Sequence, residues 1–423
     1  MQFRRFLPIF IIVFTNILGA GVILPILPLI AEGEFGATAF QAILLGAVFF
    51  AAQFLAAPWL GRLSDHIGRR PVLIGSQIGT VLSFVMFAFA QRLGLALAEV
   101  VPAVGASGGL IVLYAARILD GITGGNITTA RAYIADVTND EERAQALGLL
   151  SAAFGVGFIF GPAFGGLLSK ISLVAPFVGG AVITSGSVLL TTLTLAESLP
   201  PEKRTAVHEQ EKEIPLREFL QDNRVFLILL ITFVVMLAFS ALQSTFPLYM
   251  ERVAFPDAPD KATVARNVGL ILGFLGVVMV LTQGVLIGPL VKRLGEQQVV
   301  VTAQFLLVIA FAGLAVATNA WWVVLFLIPA AVGQGINQPS LQALMTRFGT
   351  PKTQGRLLGL FQSASSLGLI FGPIWSGYMF EHVGPRAPYW VAVPLLLMSG
   401  MLALVLRRQV LPVSRMSVHD HAV

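Results

Sequence analysis

Twelve apolar stretches, each close to the length of a membrane crossing, succeed one another along nearly the whole chain. They run over 7–30, 40–60, 71–90, 109–131, 144–168, 175–196, 225–248, 267–291, 299–318, 321–345, 357–380 and 388–406. A hydrocarbon core ~30 Å thick needs about 20 apolar residues in a helix. The sequence therefore predicts an all-α integral membrane protein with twelve transmembrane helices. Only 12% of residues are charged and 56% are hydrophobic, with a mean hydropathy of +0.84. The first stretch lacks a cleavage pattern and continues into Pro25, Pro28, Glu32 and Glu34, so it is expected to remain as a span.

The basic residues are distributed unequally between the two sets of connecting segments. With the N-terminus inside, one set holds 20 Lys and Arg, among them Arg62, Arg69, Arg70, Lys212, Lys352 and Arg415. The other holds six: Arg92, Lys170, Arg252, Lys261, Arg266 and Arg386. Positive charge collects on the cytoplasmic side of membrane proteins, so both termini are expected in the cytoplasm of a multi-pass protein of the inner (cytoplasmic) membrane. The net charge of +5 follows from this asymmetry and implies no nucleic-acid partner. The lipid bilayer is the expected surrounding, and a monomer is the expected state.

One connecting segment occurs twice. Residues 61–73 read Gly-Arg-Leu-Ser-Asp-His-Ile-Gly-Arg-Arg-Pro-Val-Leu, and 288–300 read Gly-Pro-Leu-Val-Lys-Arg-Leu-Gly-Glu-Gln-Gln-Val-Val. Gly61, Leu63, Gly68 and Val72 return as Gly288, Leu290, Gly295 and Val299. A second register relates Gly161-Pro162 to Gly372-Pro373, Asn126 to Asn337, Gly124 to Gly335 and Gly148 to Gly359. Internal repetition of this kind is typical of transporters built from two related bundles. The copy has Lys292 where Asp65 stood and Glu296 where Arg69 stood. It is expected to keep turn shape and packing without the acid–arginine chemistry.

The longest polar interruption, 197–223, carries seven of the 22 acidic residues and parts six stretches from six. It reads as a solvated linker whose residues 216–220 begin a short surface helix. The expected organisation is a six-helix bundle over 1–196, the linker 197–223, a second six-helix bundle over 224–408, and a tail over 409–423.

These features resemble the major facilitator superfamily, and within it the twelve-span drug:proton antiporters. The turn at 61–73 fits the family's G-x-L-a-D-r-x-G-r-k-x-x-l signature between spans two and three. Arg117 with Gly121 and Gly124 fits its fourth-span arginine motif, and Gly157-x-x-x-Gly161-Pro162-x-x-Gly165-Gly166 fits the fifth-span antiporter motif. Tyr133-Ile134-Ala135-Asp136-Val137-Thr138 and the segment from Phe154 to Phe158 are similar to the tetracycline-efflux branch. The resemblance implies two bundles rocking about a central cavity and exporting amphipathic small molecules in exchange for protons. It further implies a cytoplasmic gate of Gly61, Asp65, Gly68, Arg69, Arg70 and Asp136, in which Asp65 faces a helix end of the other half and Arg69 pairs with Asp136. Gly157, Gly161, Pro162, Gly165 and Gly166 would seal the cavity against leakage. Many relatives carry an aspartate in span one, where this chain has Asn16, which cannot titrate.

The residues add their own arguments. Arg117 and Asp120 are the two charges deep inside the apolar stretches, and a mid-bilayer charge costs at least ~2.5–3.5 kcal/mol. Their i, i+3 spacing puts them on one helix face, within pairing distance. Either they form a static ion pair, or Asp120 exchanges a proton under the influence of Arg117. Five glycines and a proline between Gly155 and Gly166 favour close helix packing and a bend. Asn16, Gln53, Asn126, Gln243, Gln283, Gln334 and Asn337 are the uncharged polar side chains considered for the substrate cavity, and each could equally be an interhelical bond.

Other chemistries find no foothold. The chain has no cysteine, so thiolate metal sites and disulfides are excluded. His66, His208, His382, His419 and His421 show no metal-ligand spacing within the apolar stretches, and no Walker-type loop is present. An enzyme is not expected, nor a cofactor. Import of a sugar or organic acid by symport or uniport stays open. A membrane sensor on the same fold also remains, although the short tail argues against it.

Overall fold

A computed structural model describes residues 3–204, 216–350 and 353–409. Lys212, Lys352 and Arg415, counted above on the basic side, lie outside the described residues, as do His208, His419 and His421. The described chain is helical throughout, and each predicted apolar stretch falls on a helix.

We number the spans by chain order: one, Phe3–Ile23 with Leu27–Phe35; two, Ala39–Ile67; three, Arg69–Ala88; four, Gly108–Gly124 with Ile127–Val137. Span five is Asp140–Leu168 and span six Ala175–Thr194. Span seven is Asn223–Tyr249, eight is Lys261–Leu281 continued by Ile287–Leu294, and nine is Glu296–Val316. Ten to twelve are Ala320–Arg347, Gln354–His382 and Ala387–Gln409. Among the described residues, ten helices are long and apolar enough to cross a bilayer by themselves, and span one qualifies as a pair bent by 41°. The bend corrects the expectation of one continuous stretch over 7–30. Pro25 lies in the break, where its ring and missing N–H interrupt the helical ladder. The segment after span three also holds a helix, Ala90–Val100. Residues 216–220 are helical as anticipated, within Leu216–Gln221.

Polar residues at the span ends set the boundaries. Thr38 Oγ1 accepts from the Gln41 amide at 3.3 Å while Gln41 Oε1 accepts from the Thr38 amide at 2.9 Å, a reciprocal cap that starts span two. Asn139, Asp222, Asp260 and Asn319 cap spans five, seven, eight and ten, each side chain accepting from one backbone amide of the first turn.

The duplicated turn has a physical basis in both copies. Gly68 and Gly295 each end one helix and open the next with positive φ, +104° and +76°, a conformation natural to glycine. The repetition extends to side chains that the sequence comparison did not pair. Gln77 of span three donates to Ser187 of span six at 3.0 Å, and Gln304 of span nine accepts from Ser399 of span twelve at 3.0 Å. Gln304 stands 227 residues after Gln77, as Gly295 does after Gly68.

Glycine rows determine how the spans interlock. Span five lies between span one of its own half and span eight of the other. A Cβ on Gly157, Gly161 or Gly165 would meet Ile17, Leu18, Gly21 or Val22 of span one at 2.4–2.9 Å. On its other side a Cβ on Gly166 would meet Ala265 and Gly269 of span eight at 3.0 Å. Span eleven repeats this between spans seven and two: Gly368 and Gly372 sit against Met236, Leu237 and Ser240, and Gly377 against Phe40 and Ile43. The central cavity lies between these crossings.

The halves are linked at one end of the bundle. We call the end carrying the 61–73 turn the loop face and the opposite end the distal face. Glu32 of span one pairs with Arg252 just after span seven, Glu381 accepts from the Phe40 amide at 2.6 Å, and Ser169 donates to the Ala262 carbonyl at 3.2 Å. All three links lie on the distal face. On the loop face, the bonds and ion pairs of Arg69, Arg70 and Glu296 stay within one half.

Candidate functional site: a central cavity walled by a buried ion pair

Span four brings a charged pair to the centre of the first half. Arg117 Nη1 donates to Asp120 Oδ2 at 3.0 Å, and both side chains are about 93% buried. The i, i+3 spacing anticipated this contact. Arg117 is held at two further points. Its Nε donates to the Leu45 carbonyl of span two at 3.3 Å, and its guanidinium lies 4.2 Å from the centre of the Phe49 ring. A cation over an aromatic face is worth ~2 kcal/mol when desolvated, so Phe49 helps hold a charge that lipid alone would not tolerate. Phe49 and the Leu45 carbonyl were not among the sequence candidates. A backbone carbonyl has no signature in the residue code, and one phenylalanine among 31 does not stand out.

Arg117 stands at the wall of a cavity of about 260 Å³ between the halves. Arg117 faces this space along with Gln53, Phe49, Phe50, Ile17 and Phe158 of the first half and Ser240, Gln243 and Ser244 of the second. Asp120 lies behind Arg117 and does not line the cavity. A smaller annex of about 50 Å³ continues into the second half along Phe239, Phe246, Leu272, Leu275 and Met279 to Gln334. Leu24, Phe158 and Gln243 line both spaces, so the two adjoin.

Three of the seven polar candidates therefore reach the cavity or its annex: Gln53, Gln243 and Gln334. Gln53 also donates to the Gly124 carbonyl at 3.0 Å. The other four do not line either space. Asn16 donates to Asn126 Oδ1 at 2.8 Å, and Asn126 donates to Ser76 at 2.8 Å, so both amides tie spans one, three and four together. Asn337 is fully buried and accepts from Gln304 at 2.9 Å in the packing of spans nine and ten. Gln283 is exposed on a widened π turn of span eight, away from either space. Amides inside a membrane bundle seek each other first, and sequence alone does not distinguish that outcome from ligand contact.

The predicted gate residues assemble on the loop face. Arg69 contacts Asp65 at 2.5 Å and Asp136 at 3.1 Å, and donates to Ser64 Oγ at 2.6 Å. Asp65 thus lies against an arginine of its own half. Arg70 donates to the Thr192 carbonyl of span six at 2.6 Å. Two partners come from the start of the linker. Glu197 accepts from the Arg69 and Arg70 amides at 2.8 and 3.2 Å, and Ser198 donates to Asp136 at 3.0 Å. A carboxylate at a helix N-terminus is favoured by the unpaired amides and the helix dipole. Glu197 read as one more acid of a solvated linker, and only the return of the chain to span three reveals its place.

The second copy of the turn differs from expectation. Glu296, at the place of Arg69, forms an ion pair with Arg347 at the end of span ten. Arg347 stands 211 residues after Asp136, the offset that relates Asn337 to Asn126. The link between the turn and the fourth span of its half is therefore present in both halves, with the charges exchanged. Position-by-position comparison missed it because the acid and the base traded places.

The antiporter-motif glycines, Gly157, Gly161, Gly165 and Gly166, and Pro162 lie at the span one–five–eight crossing described above. Gly269 of span eight, which meets Pro162 and Gly166, and Gly273 and Gly276, which meet Ala163 and Ile159, were not singled out, although their spacing along one helix face is the small-residue pattern of membrane contacts.

Comparison with known proteins agrees with this architecture. The Major Facilitator Superfamily profile matches residues 9–284 and 265–419. The tetracycline resistance protein, class C, of Escherichia coli is 33% identical over 360 residues, covering 84% of each chain. Multidrug resistance protein 2 of Bacillus subtilis (strain 168) is 28% identical over 385 residues, covering 88% of this chain and 89% of that one. Among solved structures, a bacterial homolog of the human lysosomal transporter Spinster, in an inward-facing and occupied conformation, superposes with a TM-score of 0.72 at 18% identity. That match covers 97% of this chain and 98% of the other. With the family's pattern running through both halves, the chain belongs to the Major Facilitator Superfamily.

Proposed function

We propose that the protein exports amphipathic small molecules, tetracycline-like compounds among them, across the cytoplasmic membrane in exchange for protons. The observation that carries the reading is the buried Arg117–Asp120 pair, whose arginine lines the central cavity. A carboxylate held by one arginine in a low-dielectric site changes its proton affinity when solvent or substrate reaches the arginine. Proton uptake by Asp120 and occupancy of the cavity are thereby linked, which is the requirement for antiport. The similarity to a tetracycline resistance protein and a multidrug resistance protein supports export rather than import.

Alternating access follows from the two related halves. The bundles 1–196 and 224–408, joined by the linker 197–223 and followed by the tail 409–423, act as the moving bodies of a monomer in the lipid bilayer. The positive-inside asymmetry makes the loop face cytoplasmic, together with both termini. On that assignment the structure is closed on the outer side and corresponds to the inward-facing state. Asp65, Arg69, Arg70 and Asp136, with Gly61 and Gly68, form the cytoplasmic gate. The glycines from Gly157 to Gly166 keep span five tight against spans one and eight, and so seal the cavity as the halves move.

The test is flux of a tetracycline in proteoliposomes with and without an imposed pH gradient, for wild type and Asp120→Asn. Gradient-driven uptake lost in Asp120→Asn is expected. Flux that ignores both the gradient and the substitution would refute coupling through Asp120. Asn16, an amide that cannot titrate and is bonded to Asn126, makes gradient-independent uniport the specific second reading.

A further inference from the structure

Resting on the reading of the central cavity as the transport site, we propose that the cavity selects acidic amphiphiles. Their anionic oxygen would lie on Arg117, their apolar body along Phe158 and Phe246, and a hydroxyl or N–H donor at Gln334.

The charge preference follows from what faces the space. Among the described residues, Arg117 is the one charged side chain lining the main cavity, and its acid partner stands behind it. Of the five N–H donors of a guanidinium, Arg117 engages Nε with Leu45 and one Nη1 hydrogen with Asp120 among the described residues. The remaining donors are available to a ligand oxygen. The buried ion pair is thus a dipole whose positive end meets the cavity. A cationic ligand would lie against that end with no lining carboxylate to balance it, and in a largely apolar site such a charge is strongly disfavoured. A carboxylate, enolate or similar oxygen would instead gain charge-assisted hydrogen bonds.

The opposite end of the ligand is specified independently. The annex is lined by aliphatic and aromatic side chains apart from Gln243 and Gln334. Gln334 is 96% buried, and its Nε2 makes one long contact of 3.9 Å to the sulfur of Met236. Its Oε1 is buried with no hydrogen-bond partner. An unpaired buried acceptor costs ~1–3 kcal/mol. A ligand O–H or N–H reaching the end of the annex would satisfy it, whereas a purely hydrocarbon tail would leave the deficit in place. The two polar anchors lie in opposite halves, so a ligand touching both bridges the parts that move relative to one another. The polar end then belongs to the first half and the body to the second.

The experiment measures equilibrium binding to the detergent-solubilised full chain, where no ion gradient exists. Three probes are compared on wild type: 4'-hydroxybiphenyl-4-carboxylate, biphenyl-4-carboxylate, and the 4'-hydroxybiphenyl-4-methylammonium cation. The hydroxy acid is expected to bind about tenfold more tightly than either of the others. Arg117→Gln should reduce its affinity to that of the cation, and Gln334→Leu should erase its advantage over the deoxy acid. Since Arg117→Gln could disturb folding, the wild-type order of the three probes is the primary result and needs no variant. A cation that binds as well as the acid would overturn the charge selection. Equal binding of the two acids would overturn the Gln334 contact. This order is independent of proton coupling: loss of gradient-driven flux with the order intact would count against antiport alone, and gradient-driven flux with the order reversed would count against the selection alone.

Discussion

Glu32 of the first half holds Arg252 of the second across the distal face, and Lys261 completes the cluster, 3.9 Å from Glu32 and 3.2 Å from Glu251. Each of these side chains is partly solvent-exposed, so the pairs contribute modestly. An exposed ion pair is worth ~0.2–1 kcal/mol, enough to change a two-state population by about one-and-a-half to fivefold. Glu32→Gln is expected to enlarge the population open on the distal face by that factor. The exchange of charges in Glu32→Arg with Arg252→Glu should restore the wild-type balance. The chain contains no cysteine, so paired spin labels on engineered cysteines at the distal ends of spans one and seven report the distances directly. An unchanged distance distribution in Glu32→Gln would show that the cluster does not hold the halves together.

Arg69 joins two carboxylates and a serine at the loop face. It is 6% exposed, while Asp65 and Asp136 keep about a quarter of their side-chain surface. Removing one member of a fully buried ion pair costs ~3–5 kcal/mol. With solvent reaching the acids, Arg69→Ala should cost about 2 kcal/mol and lower the melting temperature in detergent. Arg69→Lys keeps the charge but not the planar fork that serves three partners, so an intermediate loss is expected. Equal melting temperatures for wild type and Arg69→Ala would contradict the arrangement.

Gly161 and Gly165 touch the backbone of span one so closely that a methyl group has no room. A Cβ on Gly161 would lie 2.8 Å from the Leu18 carbonyl oxygen, and one on Gly165 2.4 Å from that of Val22. Both neighbours are backbone and do not rotate away. Overpacking of this kind costs ~1–3 kcal/mol, so Gly165→Ala should destabilise more than Gly161→Ala. Gly359 has open space around its Cβ position. Gly359→Ala is expected to be neutral or slightly stabilising, by at most ~1 kcal/mol of helix propensity. Comparable losses at all three positions would argue against contact as the cause.

Span seven begins at a pH-sensitive cap. Asp222 Oδ1 accepts from the Arg224 amide at 2.9 Å, and its carboxylate also takes two bonds from the Arg224 guanidinium. The guanidinium bonds, above all, hold the carboxyl below its ordinary value of 3.8. A depressed folded-state value means that the charged cap stabilises the helix start at neutral pH. That contribution is fully present above pH 3.8 and is lost as the pH falls through the depressed value. Amide hydrogen exchange at Arg224 and Val225 should accelerate relative to mid-helix amides in Asp222→Ala, as expected for a cap worth ~1 kcal/mol. Asp222→Asn should retain most of the protection and lose the pH dependence. Protection in Asp222→Asn that still declines in acid would assign the effect to another group.

Much of this protein follows from sequence alone because a bilayer leaves few choices. A hydrocarbon solvent demands helices of a given length, so twelve stretches, their order and the duplicated glycine turn were legible in the one-dimensional pattern. The i, i+3 pairing of Arg117 with Asp120 was legible for the same reason, since helix geometry is local. Tertiary structure decided the rest. Which polar side chains face the cavity depended on whether another amide lay within reach: Asn126 found Asn16 and Ser76, whereas Gln334 found only a sulfur. The return of Glu197 to the start of span three, and the exchanged charges of Glu296 and Arg347, join residues 51 to 128 positions apart. Such contacts carry no period along the chain. Their partners become known only when the glycine rows have determined which helices touch.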